Sequence, residues 1–301
     1  MSVLCRSLIA FTLIALAPDV IHGHPLDSNP DQGTLPGGVL AIRDQPYVAK
    51  GHERQKLDLY YHADKTPRPL VIWIHGGAWR SGSKDRTRAL RLLENGFNVA
   101  SINYRLSQHA VFPAQIKDCK AAVRWLRSHA VEYGLDPAHF GAWGSSAGGH
   151  LVALLGVSGG IRELDSHPES PISSRVQAIC DFFGPTDFLQ MNAQAGPEGR
   201  IDHNAADSPE SKLVGAPIQD HPELARAANP INYVSTDDSP FLILHGNQDK
   251  LVPWKQSQLL SDALKEKGVS VQFQIIEGAG HSLNGSKIND LVLDFFNQTL
   301  R

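Results

Sequence analysis

The chain has 301 residues, 42% of them hydrophobic, and a formal net charge of -3. That size and composition suit one globular α/β unit with a sizeable core. They exclude a basic nucleic-acid-binding stripe, and the sequence shows no repeat, no heptad series and no metal-type Cys/His spacing.

Arg6 is the one charged side chain before a mainly apolar run over residues 8–17. A run of that length fits the h-region of an export signal and is too short to span a bilayer. Residues 1–23 are therefore expected as a signal peptide, with a secreted or periplasmic destination and no integral membrane association; an internal apolar helix is the alternative. Ala15-Leu16-Ala17 offers a small-x-small cleavage pattern, but Pro18 opposes cleavage there, and a site nearer Gly23 is the other choice. Cys5 lacks a lipoprotein-type Leu three residues before it and is not read as an acylation site. Residues 24–38, polar and rich in Pro and Gly, read as a linker. Cys119 and Cys180 then remain, and either a disulfide or two buried thiols is open to them.

From residue 39 onward short apolar or alternating runs recur at 39–42, 56–61, 70–74, 97–102, 140–143, 176–183, 241–244 and 269–276. Their β-branched content and Gly/Pro/Asn/Asp punctuation predict eight strands. Helical patterns follow the third strand at 86–94, the fourth at 113–133, the fifth at 147–155, the seventh at 255–267 and the eighth at 288–300. Strand alternating with helix predicts an α/β fold with a mostly parallel sheet covered on both faces. The first two strands, with no helix between them, are an expected antiparallel start. Residues 186–238 interrupt the alternation, and a structureless loop of that length would be unusual. A small cap of short helices is expected there, inside a single catalytic domain spanning 39–301.

Gly144-Ser145-Ser146-Ala147-Gly148 is a Gly-x-Ser-x-Gly pentapeptide between the fifth strand and its helix. That context predicts a nucleophile elbow, a sharp turn that lifts the Ser146 hydroxyl above the sheet with the positive end of the helix behind it. A serine hydroxyl needs a base, and in this arrangement an acid and then a histidine follow it along the chain. Asp249 follows the seventh strand and His281 follows the eighth, in that order. Asp187, just beyond the sixth strand, is the alternative acid; its other reading is a cap on the segment that follows. His75-Gly76-Gly77-Ala78-Trp79 follows the third strand, and a Gly-Gly turn lets backbone amides approach a developing oxyanion. The expected donors are the N–H groups of Gly77 or Ala78 with Ala147, and Gly76 is a neighbouring candidate. His75 is expected to brace the loop. Trp79 and Trp254 are candidate substrate-binding residues, with plain packing as the other reading of each.

These motifs, together with Asn103-Tyr104-Arg105, Phe112-Pro113-Ala114-Gln115 with Asp118, and Phe183 to Asp187, resemble the α/β-hydrolase esterase/lipase group. The resemblance runs from about Leu57 to the C-terminus and leans toward the acetyl-xylan/feruloyl esterase branch and its carboxylesterase relatives. Ala78 stands where the hormone-sensitive-lipase-like group has a third Gly, which favours the His-Gly-Gly-x-Trp branch, one that also resembles kynurenine formamidases. The resemblance implies a serine esterase with no metal or organic cofactor. Its implied partner is a small-molecule or polysaccharide-linked ester, with an acetyl or feruloyl group on plant polysaccharide as the expectation. An arylformamidase using the same residues on an amide, and a non-catalytic ligand-binding protein on the same fold, are the alternatives. A true lipase would want a more apolar lid than residues 186–238 supply. The oligomeric state is not legible.

Overall fold

The computed structural model describes residues 35–301. The expected signal segment, Cys5 and residues 24–34 of the expected linker lie outside the described residues. One sheet contains β1 (Val39–Pro46), β2 (Lys56–His62), β3 (Arg68–Ile74), β4 (Asn98–Ile102), β5 (Leu135–Ser145), β6 (Ala178–Phe182), β7 (Phe241–Gly246) and β8 (Val271–Ile276). Its order is β1-β2-β4-β3-β5-β6-β7-β8. β2 is antiparallel to both β1 and β4, and every later pair is parallel. The helices are α1 (Ala114–Ser128), α2 (Ala130–Tyr133), α3 (Ala147–Val157), α4 (Met191–Ala195), α5 (Pro209–Val214), α6 (Pro222–Ala227), α7 (Lys255–Glu266) and α8 (Ser286–Leu300).

Strand period and helix period explain the two core layers. Leu70, Ile72 and Ile74 of β3 pack with Ile116 and Val123 of α1, Leu151 of α3 and Leu260 of α7. Their neighbours Val71 and Trp73 point to the other face, against Leu92, Leu93 and the α8 residues Val292 and Phe296. α8 buries Ile288, Val292, Phe295, Phe296 and Leu300, a stripe at helical spacing. Truncating a fully buried phenylalanine such as Phe296 to alanine costs about 3–5 kcal/mol. Cys119 and Cys180 are unpaired buried thiols. They belong to the two different core layers, so the disulfide alternative falls.

Several boundaries differ from expectation. Residues 86–94 do not form an α-helix; a 3-10 turn at Ala89–Asn95 takes their place and ends at Gly96 with φ 76°. The approach to it is committed to other partners, because Lys84 pairs with Asp58 at 2.7 Å, Asp44 at 2.9 Å and Asp85 at 3.2 Å. The expected helix over 113–133 breaks at His129, whose Nδ1–H donates to the Trp125 carbonyl at 2.8 Å. β5 is longer than expected because Leu135 already pairs with Arg68 before a bulge. β6 stops at Phe182, because Phe183 turns out of the sheet with φ 44°.

Residues 186–238 hold α4, α5 and α6 and several 3-10 turns, none longer than 6 residues. Gln256 at the start of α7 ties this cap to the body. Its Oε1 accepts from the Thr186 and Asp187 amides, both at 2.7 Å, and its Nε2 donates to Gln194 at 2.8 Å. His203 adds a second tie, bonded to Glu210 at 3.0 Å and to the Leu251 carbonyl at 3.1 Å. Among the described residues no helix is long and apolar enough to cross a membrane.

Candidate active site

The C-terminal ends of the parallel strands carry the candidate residues. β5 ends at Ser145, and α3 begins at Ala147, so Ser146 occupies the whole turn between them. Its backbone sits at φ 56°, ψ -123°, a conformation that side chains adopt only when their surroundings force it. The force is visible. The Ser146 amide donates to the Phe182 carbonyl of β6 at 2.9 Å, and its carbonyl accepts from His150 at 3.0 Å. A Cβ on Gly144 would lie 2.3 Å from the Gly148 carbonyl oxygen, and one on Gly148 would lie 2.0 Å from that of Ile74. Both flanking glycines are therefore required by close backbone approach.

Asp249 lies beyond β7 with its side chain fully buried, and His281 lies beyond β8. His281 Nδ1 is 2.6 Å from Asp249 Oδ2. Asp249 Oδ1 accepts from the Leu251 and Val252 amides at 2.8 and 3.0 Å. A fourth donor is His245, whose Nε2 reaches Oδ2 at 3.2 Å while also bonding the Val252 carbonyl at 2.9 Å. Ser257 holds the other nitrogen of that ring at 2.7 Å. Burial alone would raise the Asp249 carboxyl, but the hydrogen bonds from His245 and His281 outweigh it and hold the group well below the usual carboxylate range. An ionised Asp249 accepts only, so Nδ1 of His281 carries a proton and donates to it. Phe183 connects this pair to the serine: its ring is 4.5 Å from the His281 ring, and it directly follows the Phe182 that anchors the Ser146 amide.

The loop after β3 completes the cluster. A Cβ on Gly76 would stand 3.3 Å from the Ser146 Cβ, so Gly76 lies directly against the elbow. Gly77, Ala78 and Trp79 follow at φ 101°, 52° and 55°. The amides of Gly77, Ala78 and Ala147 find no acceptor among the described residues. His75 is buried under this loop and stacked on Tyr104 at 4.5 Å. Burial lowers its pKa to about 4, so the ring is neutral. The Tyr104 hydroxyl donates to the His75 carbonyl at 3.0 Å. Arg105 reaches Asp118 of α1 at 2.7 Å, which fixes the following strand exit to the helix layer.

The remaining candidates separate. Asp187 caps the next turn, accepting from the Leu189 amide at 3.1 Å and from Gln190 at 2.7 Å, and makes no bond to His281. Trp79 does not wall a pocket. It is 1% exposed and lies edge-on to His150 and Phe188, with ring centroids 5.2 and 5.4 Å away. Its positive φ turns the side chain inward, beneath the loop, so core packing claims it. Trp254 is half-buried at the start of α7, five residues after Asp249. His245 was not singled out as a site residue from the sequence; a histidine at a strand end four residues before the acid was the available signal.

Residues 57–264 match the BD-FAE family. Esterase LipQ of Mycobacterium tuberculosis is 34% identical over 248 residues, covering 80% of this chain and 57% of its own. Esterase LipC of the same organism is 31% identical, covering 81% of this chain and 62% of its own. The chain thus spans about three fifths of the length of these curated relatives. A solved structure described as a truncated form of carbohydrate esterase from gut microbiota superposes with a TM-score of 0.77 at 32% identity, covering 86% of this chain and 95% of that one. The family match over residues 57–264, the sheet order and these similarities together place the chain in the BD-FAE family of α/β-hydrolase-fold proteins.

Proposed function

We propose that the chain is a serine carboxylic-ester hydrolase with Ser146, His281 and Asp249 as its catalytic residues. The observation that carries the reading is the 2.6 Å bond from His281 Nδ1 to a buried, ionised Asp249, beside a serine held on a strained elbow. Nε2 of His281 takes the Ser146 proton as Oγ attacks the ester carbonyl. The oxyanion is received by the amides of Ala147 and of Gly77 or Ala78, with Gly76 at the edge of the same site. His281 then gives the proton to the departing alcohol. Water, deprotonated by the same nitrogen, attacks the acyl-enzyme and releases the acid and a free Ser146.

The substrate reading is a small acyl or aryl ester, with acetyl or feruloyl groups on plant polysaccharide as the favoured source. Its support is the similarity to a carbohydrate esterase and the polar cap. The apolar run at residues 8–17 supports export to the place where such polymers occur. The test is hydrolysis of short p-nitrophenyl esters, methyl ferulate and acetylated xylan by the wild type and by Ser146→Ala. Turnover of all three classes is expected, with a fall of at least about 10⁴-fold in the variant. Turnover of the short esters alone would reject the polysaccharide reading, and an active Ser146→Ala would reject the mechanism.

A further inference from the structure

We propose that Arg54 is a positioning residue that sets the direction of the Gly77 amide, by fixing which nitrogen of His75 carries the proton. The inference rests on the esterase reading above and deepens it. Arg54 lies on the β1–β2 connection, far in sequence from every motif. Its guanidinium spans the underside of the loop after β3, bonding the Tyr104 carbonyl at 2.9 Å, the Gly82 carbonyl at 2.9 Å and Asn103 Oδ1 at 3.3 Å. The same terminal nitrogen reaches His75 Nε2 at 3.2 Å.

His75 is neutral and the Gly76 carbonyl beside Nδ1 can only accept, so Nε2 is the bare nitrogen, and it faces a guanidinium that only donates. The ring proton is then on Nδ1, which lies 2.7 Å from the Gly76 carbonyl oxygen and donates to it. A planar trans peptide points its C=O and N–H in opposite directions. Holding the Gly76 carbonyl toward His75 therefore directs the Gly77 N–H away from His75, in a loop whose Gly76 lies against Ser146. The other tautomer would set a bare Nδ1 against the carbonyl and an N–H against the guanidinium, two repulsive contacts. Gly82 closes the arrangement: a Cβ there would lie 2.5 Å from His75 Nδ1 and 2.6 Å from the Gly76 oxygen. The relay runs Arg54 to His75 to Gly76 carbonyl to Gly77 amide.

The test compares Arg54→Met with wild type on a short p-nitrophenyl ester and measures inhibition by a trifluoromethyl ketone, whose serine adduct places an oxyanion in the same site. Removing an oxyanion donor outright costs ~10²–10³ in rate, and a misdirected donor costs less. The expected result is about 10–100-fold lower kcat, KM within about twofold, and ketone affinity weakened by the same factor as kcat. His75→Asn supplies an amide N–H in place of Nδ1–H without any tautomer to choose, so in that background Arg54→Met should cost under about threefold. Equal losses in both backgrounds, or a rise in KM at unchanged kcat, would overturn the proposal. Should Arg54→Met fail to melt cooperatively, Arg54→Lys keeps a cationic donor to Nε2, and kcat within about threefold of wild type is expected. A normally folded Arg54→Lys with a 10-fold or larger kcat loss overturns the proposal too. Inactive Ser146→Ala beside unaffected Arg54 variants would leave the esterase reading standing and remove this one.

Discussion

Asp249→Asn isolates the role of the acid because the structure supplies the carboxylate with four donors in two pairs. Leu251 and Val252 face Oδ1, while His281 and His245 face Oδ2. An asparagine has one accepting oxygen, so its NH2 must meet one of the two pairs. Turning the NH2 toward Leu251 and Val252 strands two rigid backbone amides at about 1–3 kcal/mol each. Turning it toward His281 costs far less, because that imidazole can move its proton to Nε2 and accept at Nδ1, and His245 keeps its bond to the Val252 carbonyl. The second orientation wins, and it removes the lone pair that the proposed mechanism uses to deprotonate Ser146. The expected result is a kcat about 10⁴-fold lower, or roughly 5.5 kcal/mol of barrier, with a stability loss of only about 1–3 kcal/mol from the missing charge-assisted bonds. Steady-state hydrolysis of p-nitrophenyl acetate and a urea titration measure the two quantities on one preparation. A variant within tenfold of wild type would refute both the assignment of Asp249 and the tautomer argument.

Two further outcomes follow from buried groups. Burial, opposed by the Gly184 amide, pushes the Asp181 carboxyl up to about 7. The native state then holds that proton more tightly than the unfolded chain between about pH 4 and pH 7, so its contribution makes stability fall as pH rises through this window. Urea unfolding of Asp181→Asn at pH 5 and pH 8 should lack on the order of 2–4 kcal/mol of that decline, and an unchanged difference between the two pH values would show that Asp181 does not titrate there. The depressed Asp249 acts with the opposite sign and below this window, its stabilisation being lost only as pH falls through the acid range. Trp79→Phe removes an indole N–H that is buried without a partner, which offsets part of the lost ring volume; stability within about 1.5 kcal/mol and kcat/KM within about threefold are expected. A tenfold loss of kcat/KM at unchanged melting temperature would return Trp79 to the substrate pocket.

What the sequence shows of this architecture follows the range of each signal. The continuous apolar run of β3 and the pentapeptide around Ser146 are local patterns, and both sit where the reading expects them. The structure pairs Asp249 with His281 across 32 residues, and their places after β7 and β8 are what the sequence offers for that pairing. The turn at 89–95 was misread because helical spacing is local while Lys84 answers to Asp44 and Asp58, on strands far up the chain. Trp79 was ambiguous because its direction is set by a run of positive φ that no residue type at Ala78 or Trp79 announces. Arg54 was invisible because its partners lie 21 to 50 residues away, and two of the four are backbone carbonyls.

The cap joined by Gln256 and His203 has a thermodynamic consequence. Helices of 5 or 6 residues are too short to persist without the surface they rest on. Residues 186–238 therefore cannot swing away as a preformed lid; detaching them from α7 and Leu251 melts them. Any opening on that side is a local unfolding event, with a free energy well below that of the sheet. The cap then loosens with temperature and denaturant before the sheet does, so on the proposed esterase reading loss of ester selectivity should precede loss of ester cleavage.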